Sequence, residues 1–175
     1  MLLSFSGVLI YDKISSLCFN DIKISDNCLI LNIEKSKTDQ YRQSNKILIS
    51  KGSTLACPYT MLLKYINLAG FSSGSNSFLF RPIYRSGHTC KLVNKDKKLS
   101  YYTAAREALV KRLKFVSPDC NVGLHSFRSG GATTAANANV NERCLKKHGR
   151  WKDRYIVDST HNRLEVSQVS QVLRL

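Results

Sequence analysis

The stretch VGLHSFRSGGATTAANAN, residues 122–139, consists largely of small side chains over its second half. A helix built from glycine, alanine, serine and threonine lets a neighbouring backbone approach closely, which restricts how the rest of the chain can pack around it. His125 and Arg128 stand near its start, three positions apart, and so share one face of that helix. The stretch therefore predicts a rigid, closely packed helix with an imidazole and a guanidinium at its entrance.

The first half of the chain predicts helices and one small antiparallel sheet. Apolar residues at helical spacing predict a helix that begins at residue 1. Two β-rich runs, 28–33 and 46–50, predict a hairpin with a long polar loop. Pro58 and Gly70 mark the start and the stop of a further helix.

The second half predicts more helices. Residues 71–100 look loop-like because they are rich in serine and glycine, and Ser100 is a suitable N-cap for a helix over SYYTAAREALVKRLKF. Another helix is expected over NERCLKKHG, and the C-terminal RLEVSQVSQVLRL carries an apolar stripe. The fold class predicted for residues 1–175 is therefore α+β and mostly helical, in a single domain.

The excess of basic residues is the strongest overall signal. Lysine and arginine total 27 against 12 acidic residues, a formal charge of +15. This charge favours a nucleic acid as partner, because neutralising phosphates releases counterions, and a basic surface without a partner is the alternative. Apolar residues make up 43%, which argues against disorder, and no segment predicts a signal peptide or a membrane span.

The cysteines predict neither disulfides nor a metal site. Six of them, at positions 18, 28, 57, 90, 120 and 144, form no CxxC pair, so reduced thiols in an intracellular protein are expected. Cys144 and His148 have a C-x3-H spacing that suits zinc, but no second pair accompanies them. We therefore expect no metal.

Three further residues extend the pattern of His125 and Arg128. An arginine fork suits phosphate oxygens, and a histidine can donate a hydrogen bond or move a proton. Lys37 lies in EKSKTDQ at the tip of the predicted hairpin, Trp151 in HGRWK and Tyr155 in KDRYIVD. Taken singly, the pair and each of the three residues have a plain alternative: a surface arginine with a capping histidine, a solvated lysine, a core tryptophan and a packed tyrosine.

Together and in this order, these segments resemble the catalytic domain of the tyrosine recombinases, the phage-integrase family. The matching pieces are SGVLIYDKISSLCFNDI, EKSKTDQ, LHSFRSGGAT, GRWK and DRYI, which span nearly the whole chain. They are most similar to recombinases of eukaryotic mobile elements of the Crypton and DIRS kinds. The resemblance implies the fold of that catalytic domain, an activity in DNA recombination and integration, and location in the nucleus.

The resemblance also implies residue roles. In the family a tyrosine attacks a DNA phosphodiester and forms a 3′-phosphotyrosine link, with no cofactor. Tyr155 would be this nucleophile and Lys37 the general acid, while His125, Arg128 and Trp151 would hold the phosphate oxygens. Preorganised cations and donors suit this reaction because charge spreads over those oxygens in the transition state. Nearby basic residues are expected either to contact DNA or to be solvated: Lys35, Arg42, Lys146, Lys147, Arg150 and Lys152.

The sequence departs from the family pattern in its site residues. Ile10 and Lys13 stand where the family has an arginine and an acidic residue, and an isoleucine cannot donate to phosphate. Trp151 and Tyr155 are four positions apart, closer than in the family. We therefore expect binding of double-stranded DNA with impaired cleavage. A catalytically dead DNA-binding module derived from a mobile element is the alternative.

The resemblance extends to assembly. Family members carry an N-terminal DNA-binding arm domain, which we do not expect within these residues, and they act as tetramers. A homo-oligomer is therefore expected, or a partner that supplies the missing domain. No membrane partner is expected.

Overall fold

The structure is a computed structural model and describes residues 1–33, 45–71, 76–93, 97–99, 102–116, 118–119 and 122–151. Within these ranges, no helix is both long and apolar enough to cross a membrane. Three predictions about the fold fall outside them: the polar loop of the first hairpin, the N-cap at Ser100 and the apolar stripe of the C-terminal tail.

The chain begins with two short helices and not with the one continuous helix predicted from residue 1. Helix α1 spans Leu2–Ser6 and helix α2 spans Tyr11–Ser15. Val8 lies between them at a left-handed φ of 48°, which interrupts the helix. Leu3 in α1 and Ile14 in α2, on either side of the break, are both buried. The helical spacing of apolar residues is therefore real, but the prediction of an unbroken helix is wrong.

A three-stranded antiparallel sheet follows a 3-10 turn at Phe19–Asp21. Its strands, in spatial order, are β1 (Ile22–Ile24), β2 (Cys28–Ile33) and β3 (Asn45–Ser50). Leu29 pairs with Ile49 and Leu31 with Ile47, and all four side chains are buried. The predicted pairing of the two β-rich runs is confirmed. Strand β1 was not predicted, because it has only three residues and they are half-buried or exposed.

Helix α3, Pro58–Ala69, covers this sheet. It begins with proline and ends at Gly70, which has a φ of 64°, so the prediction from these two residues is confirmed. The Tyr59 hydroxyl donates to the carbonyl of Ser25 at 2.9 Å and ties the start of the helix to the end of β1. The sheet, α3 and the two N-terminal helices enclose the larger hydrophobic core.

Residues 71–100 contain a hairpin where a loop was predicted. Its strands are β4 (Ile83–Ser86) and β5 (Thr89–Leu92), joined through Gly87 at a φ of 55°. All four residues of β4 are exposed. No buried alternation therefore marks these strands in the sequence, which is why the prediction of a loop is wrong here.

Three helices complete the described chain: α4 (Tyr102–Val116), α5 (Leu124–Asn137) and α6 (Glu142–Gly149). All three confirm predicted helices. None of the described residues of α4 is buried, whereas α5 packs on α1 and on α6. A second hydrophobic core forms there around Ala135, Val140 and Leu145. The predicted α+β fold class is confirmed.

The small residues of α5 bring its backbone against α1. A Cβ atom built on Gly131 would lie 2.2 Å from the carbonyl oxygen of Phe5, which is far too close. A Cβ atom on the neighbouring Gly130 would lie 3.4 Å from the Phe5 ring, a distance that a small shift relieves. The predicted close approach is therefore present, and it is concentrated at one glycine.

We predict that Gly131→Ala destabilises the fold by about 3 kcal/mol, because the added methyl group forces α5 away from the α1 backbone. Gly130→Ala, its matched control, should leave stability unchanged or raise it by up to about 1 kcal/mol through helix propensity. Urea unfolding of both variants measures the difference. Equal stability of the two variants would contradict the close approach.

Candidate functional site

Helix α6 positions the C-terminal part of the candidate site. Asn141 caps its start by accepting a hydrogen bond from the backbone N–H of Arg143 at 2.9 Å. Leu145 and His148 are fully buried, so this face of the helix is fixed against the rest of the domain. Gly149 ends the helix, and Arg150 follows in a left-handed conformation. Trp151, the next residue, therefore leaves the helix at a fixed point.

Arg128 links α5 to the end of α6. Its Nη2 donates to the carbonyl oxygen of Gly149 at 3.0 Å. Its guanidinium carbon also lies 5.5 Å from the centre of the Trp151 ring, within the range of a cation–π interaction. The structure therefore brings together two residues that the sequence placed in one site, 23 positions apart.

Trp151 is held in place by its neighbours. A Cβ atom on Gly149 would lie 2.9 Å from the indole ring, so only glycine fits beneath it. The indole also packs against the smaller core. The sequence left open whether this tryptophan is a core or a site residue. It is half-buried and belongs to both: part of it packs against the smaller core, and Arg128 lies over its ring.

His125 lies in the first turn of α5, one helical turn before Arg128. Its side chain is exposed, and within the described residues it makes no hydrogen bond or ring contact. The expected sharing of one helix face by the two residues is therefore compatible with the structure. His125 is accessible to a bound molecule.

Arg150 completes the group of charged residues. Its Nη2 lies 3.5 Å from the carbonyl oxygen of Val8, a long hydrogen bond, and its Nη1 is buried without a partner. Burial, and then the positive charge of Arg128, lower the pKa of Arg150 to about 10. The guanidinium is therefore still charged at neutral pH, and it stands close to a second cation.

The two lysines of α6 differ in accessibility. Lys146 forms an ion pair with Glu142 one turn earlier, at 2.8 Å. Lys147 is exposed. The remaining predicted site residues lie outside the described residues: Lys35, Lys37, Arg42, Lys152 and Tyr155.

The two N-terminal helices contain no arginine. Ile10 is the N-cap residue of α2, and Lys13 lies in the last turn of that short helix. Asp12 is exposed in its first turn. Position 10 is an isoleucine, where the family pattern predicts an arginine. Among the described residues, Arg128 and Arg150 are the two guanidinium groups that lie close to each other here.

The role of His148 was missed by sequence reasoning, which weighed it only as a metal ligand. Its Nε2 donates to the carbonyl oxygen of Ser6 at 2.7 Å, and the residue is 2% exposed. Burial is the main cause that lowers its pKa, and the charge of Arg150 lowers it further. The imidazole is therefore neutral, and its hydrogen bond connects α6 to α1. No local sequence pattern predicts this hydrogen bond, because its acceptor is a backbone carbonyl near the other end of the chain.

We predict that His148 makes the fold acid-sensitive. Because its pKa is lowered in the folded chain, the stability it contributes is complete above the unfolded pKa of about 6.5 and declines as the pH falls below that value. The loss should approach about 1.4 kcal/mol per pH unit for one proton. His148→Gln should remove this loss, whereas His125→Gln, which changes an exposed histidine, should retain it. Urea unfolding at pH 7.5 and 5.5 measures both, and an equal acid response of the two variants would contradict the assignment.

No protein-family model and no curated protein matches the sequence. Among solved structures, the chain is similar to the crystal structure of XerH site-specific recombinase bound to difH substrate in a pre-cleavage complex. The TM-score is 0.59 and the sequence identity 14%, over 84% of this chain and 36% of that chain. The chain thus spans about a third of the length of this neighbour. It shares the fold of that part of a site-specific recombinase.

Proposed function

We propose that this chain is a tyrosine-recombinase-like domain that binds double-stranded DNA and breaks and rejoins it at a backbone phosphate, with impaired cleavage. The observation that carries the proposal is the contact between Arg128 and Trp151 at the end of α6. It joins two residues that the family resemblance assigns to one phosphate, in a fold shared with a recombinase solved with its substrate bound.

The proposed reaction uses only side chains. The Tyr155 hydroxyl loses its proton to solvent and its oxygen forms a bond to phosphorus as the bond to the 5′ oxygen breaks. Lys37 gives a proton to that leaving oxygen. Rejoining reverses these steps. His125, Arg128 and Trp151 contact the non-bridging oxygens, where fixed donors and cations stabilise the developing charge. The roles of Lys37 and Tyr155 rest on the resemblance alone.

The charge of the chain supports DNA as the partner. A net charge of +15 on 175 residues attracts a polyanion over a wide area. Lys147 is exposed on α6, next to the site. We propose that it contacts backbone phosphates together with Lys146 and with three residues outside the described ranges, Lys35, Arg42 and Lys152.

We expect duplex DNA binding to weaken about a hundredfold between about 50 and 200 mM salt, because several phosphates are neutralised on binding. Fluorescence anisotropy with a short labelled duplex of mixed sequence measures the affinity at each salt concentration. An affinity that does not change with salt would exclude phosphate contacts as its source.

A second candidate function is a DNA-binding module that no longer cleaves. Ile10 favours it, because an apolar side chain stands where the family places an arginine. Losing one preorganised donor costs about 10²–10³ in rate. This module would keep the salt-dependent binding described above.

Covalent trapping separates the two functions. Incubation with nicked suicide duplexes of mixed sequence should give a faint protein–DNA adduct on a denaturing gel, and Tyr155→Phe should abolish it. Tyr84→Phe, which removes the same hydroxyl at an exposed position of β4, should leave the adduct unchanged. The absence of any adduct together with salt-dependent binding would establish the non-cleaving module.

The wider setting is proposed from the same resemblance. The domain would derive from a mobile element of the Crypton or DIRS kind, serve DNA integration and act in the nucleus. It would work as a homo-oligomer, a tetramer as in the family, or with a partner that supplies the arm domain.

A further inference from the structure

The backbone at Arg150 is strained, because a residue other than glycine has a left-handed conformation at the end of a helix. The residue that follows α6 adopts φ 54° and ψ 44°, a left-handed conformation in which glycine is the common choice. Val8, whose carbonyl oxygen faces the guanidinium of Arg150, has a φ of 48° and is β-branched. Two non-glycine residues thus hold unfavourable conformations where they meet. Strain of this kind persists where the surrounding structure or a function requires the side chain.

The guanidinium of Arg150 is poorly satisfied by the protein. Its Nη2 reaches the Val8 carbonyl only at 3.5 Å, and its Nη1 is buried with no hydrogen-bond partner. Among the residues that the structure describes, no carboxylate pairs with it. A partly buried cation in this condition gains most from an anion that accepts from several of its N–H groups at once.

Arg128 adds a second guanidinium beside the first. It is fixed by the Gly149 carbonyl at 3.0 Å and by the Trp151 ring at 5.5 Å. Burial is the main cause that lowers the pKa of Arg150, and the positive charge of Arg128 lowers it further. Two cations held together against their repulsion form a site that is prepared for an anion with more than one oxygen.

We propose that Arg150 and Arg128 together bind one phosphodiester group of duplex DNA, with Arg150 supplying the positive charge that Ile10 does not supply. The inference rests on the proposed function, since it assigns the second cation of the same site. A phosphodiester fits because its two non-bridging oxygens can accept from two planar forks. Arg150 follows α6, and its guanidinium lies at the carbonyl oxygen of Val8, two positions before Ile10 in the sequence.

Binding measurements with two matched variants test the proposal. Arg150→Gln removes one positive charge at the end of α6, and Arg143→Gln removes one on the exposed side of the same helix. Arg150→Gln should weaken duplex binding about tenfold and reduce the slope of log affinity against log salt by about one, as expected for one lost phosphate contact. Arg143→Gln should leave the slope unchanged.

A stability measurement guards against a folding artefact. Arg150→Gly removes the strained left-handed side chain and the buried cation, so it should raise the melting temperature of the free protein while it weakens DNA binding as much as Arg150→Gln does. A purely structural arginine predicts the reverse: lower stability, with binding reduced only in proportion to the unfolded fraction.

The outcomes distinguish this inference from the proposed function. If the unaltered chain does not bind duplex DNA, the proposed function and the inference both fail. If it binds with the expected salt dependence but Arg150→Gln and Arg143→Gln behave alike, the inference alone is overturned. Weaker binding and a smaller slope for Arg150→Gln, with higher stability for Arg150→Gly, support it.

Discussion

The break between α1 and α2 is the feature on which the site depends. The last carbonyls of a helix have no partner within it, so ending α1 early releases acceptors that a continuous helix would use internally. The carbonyl of Ser6 accepts from His148 and that of Val8 from Arg150, while the backbone just before them lies against Gly131. The end of α1 and the irregular segment after it therefore contact both α5 and α6. These contacts fix the two helices relative to each other.

Much of the fold follows from local patterns, and the exceptions share a cause. The pairing of β2 with β3 follows from alternation around residues such as Leu29 and Leu31, and α3 from a proline and a glycine at its ends. The break at Val8 could not be predicted, because a β-branched residue gives no local indication of a positive φ. The strands β4 and β5 were missed because exposed residues carry no periodic burial.

The candidate site divides in the same way. The order of segments along the chain placed Arg128 and Trp151 together, and the structure has them in contact. Arg150 entered the sequence reasoning as one of several basic residues near the site. What sets it apart is its left-handed backbone and the carbonyl of Val8, which lies 142 positions away. Long-range geometry of this kind is absent from spacing and composition.

That separation also has a kinetic consequence. The hydrogen bonds of Ser6 and Val8 close loops of 142 residues, so most of the chain must be ordered before they can form. During synthesis, α1 leaves the ribosome long before α6 exists to receive it. The sheet and α3 can assemble in that interval, because their contacts lie closer along the chain. The proposed anion site would thus be among the last parts of the chain to form.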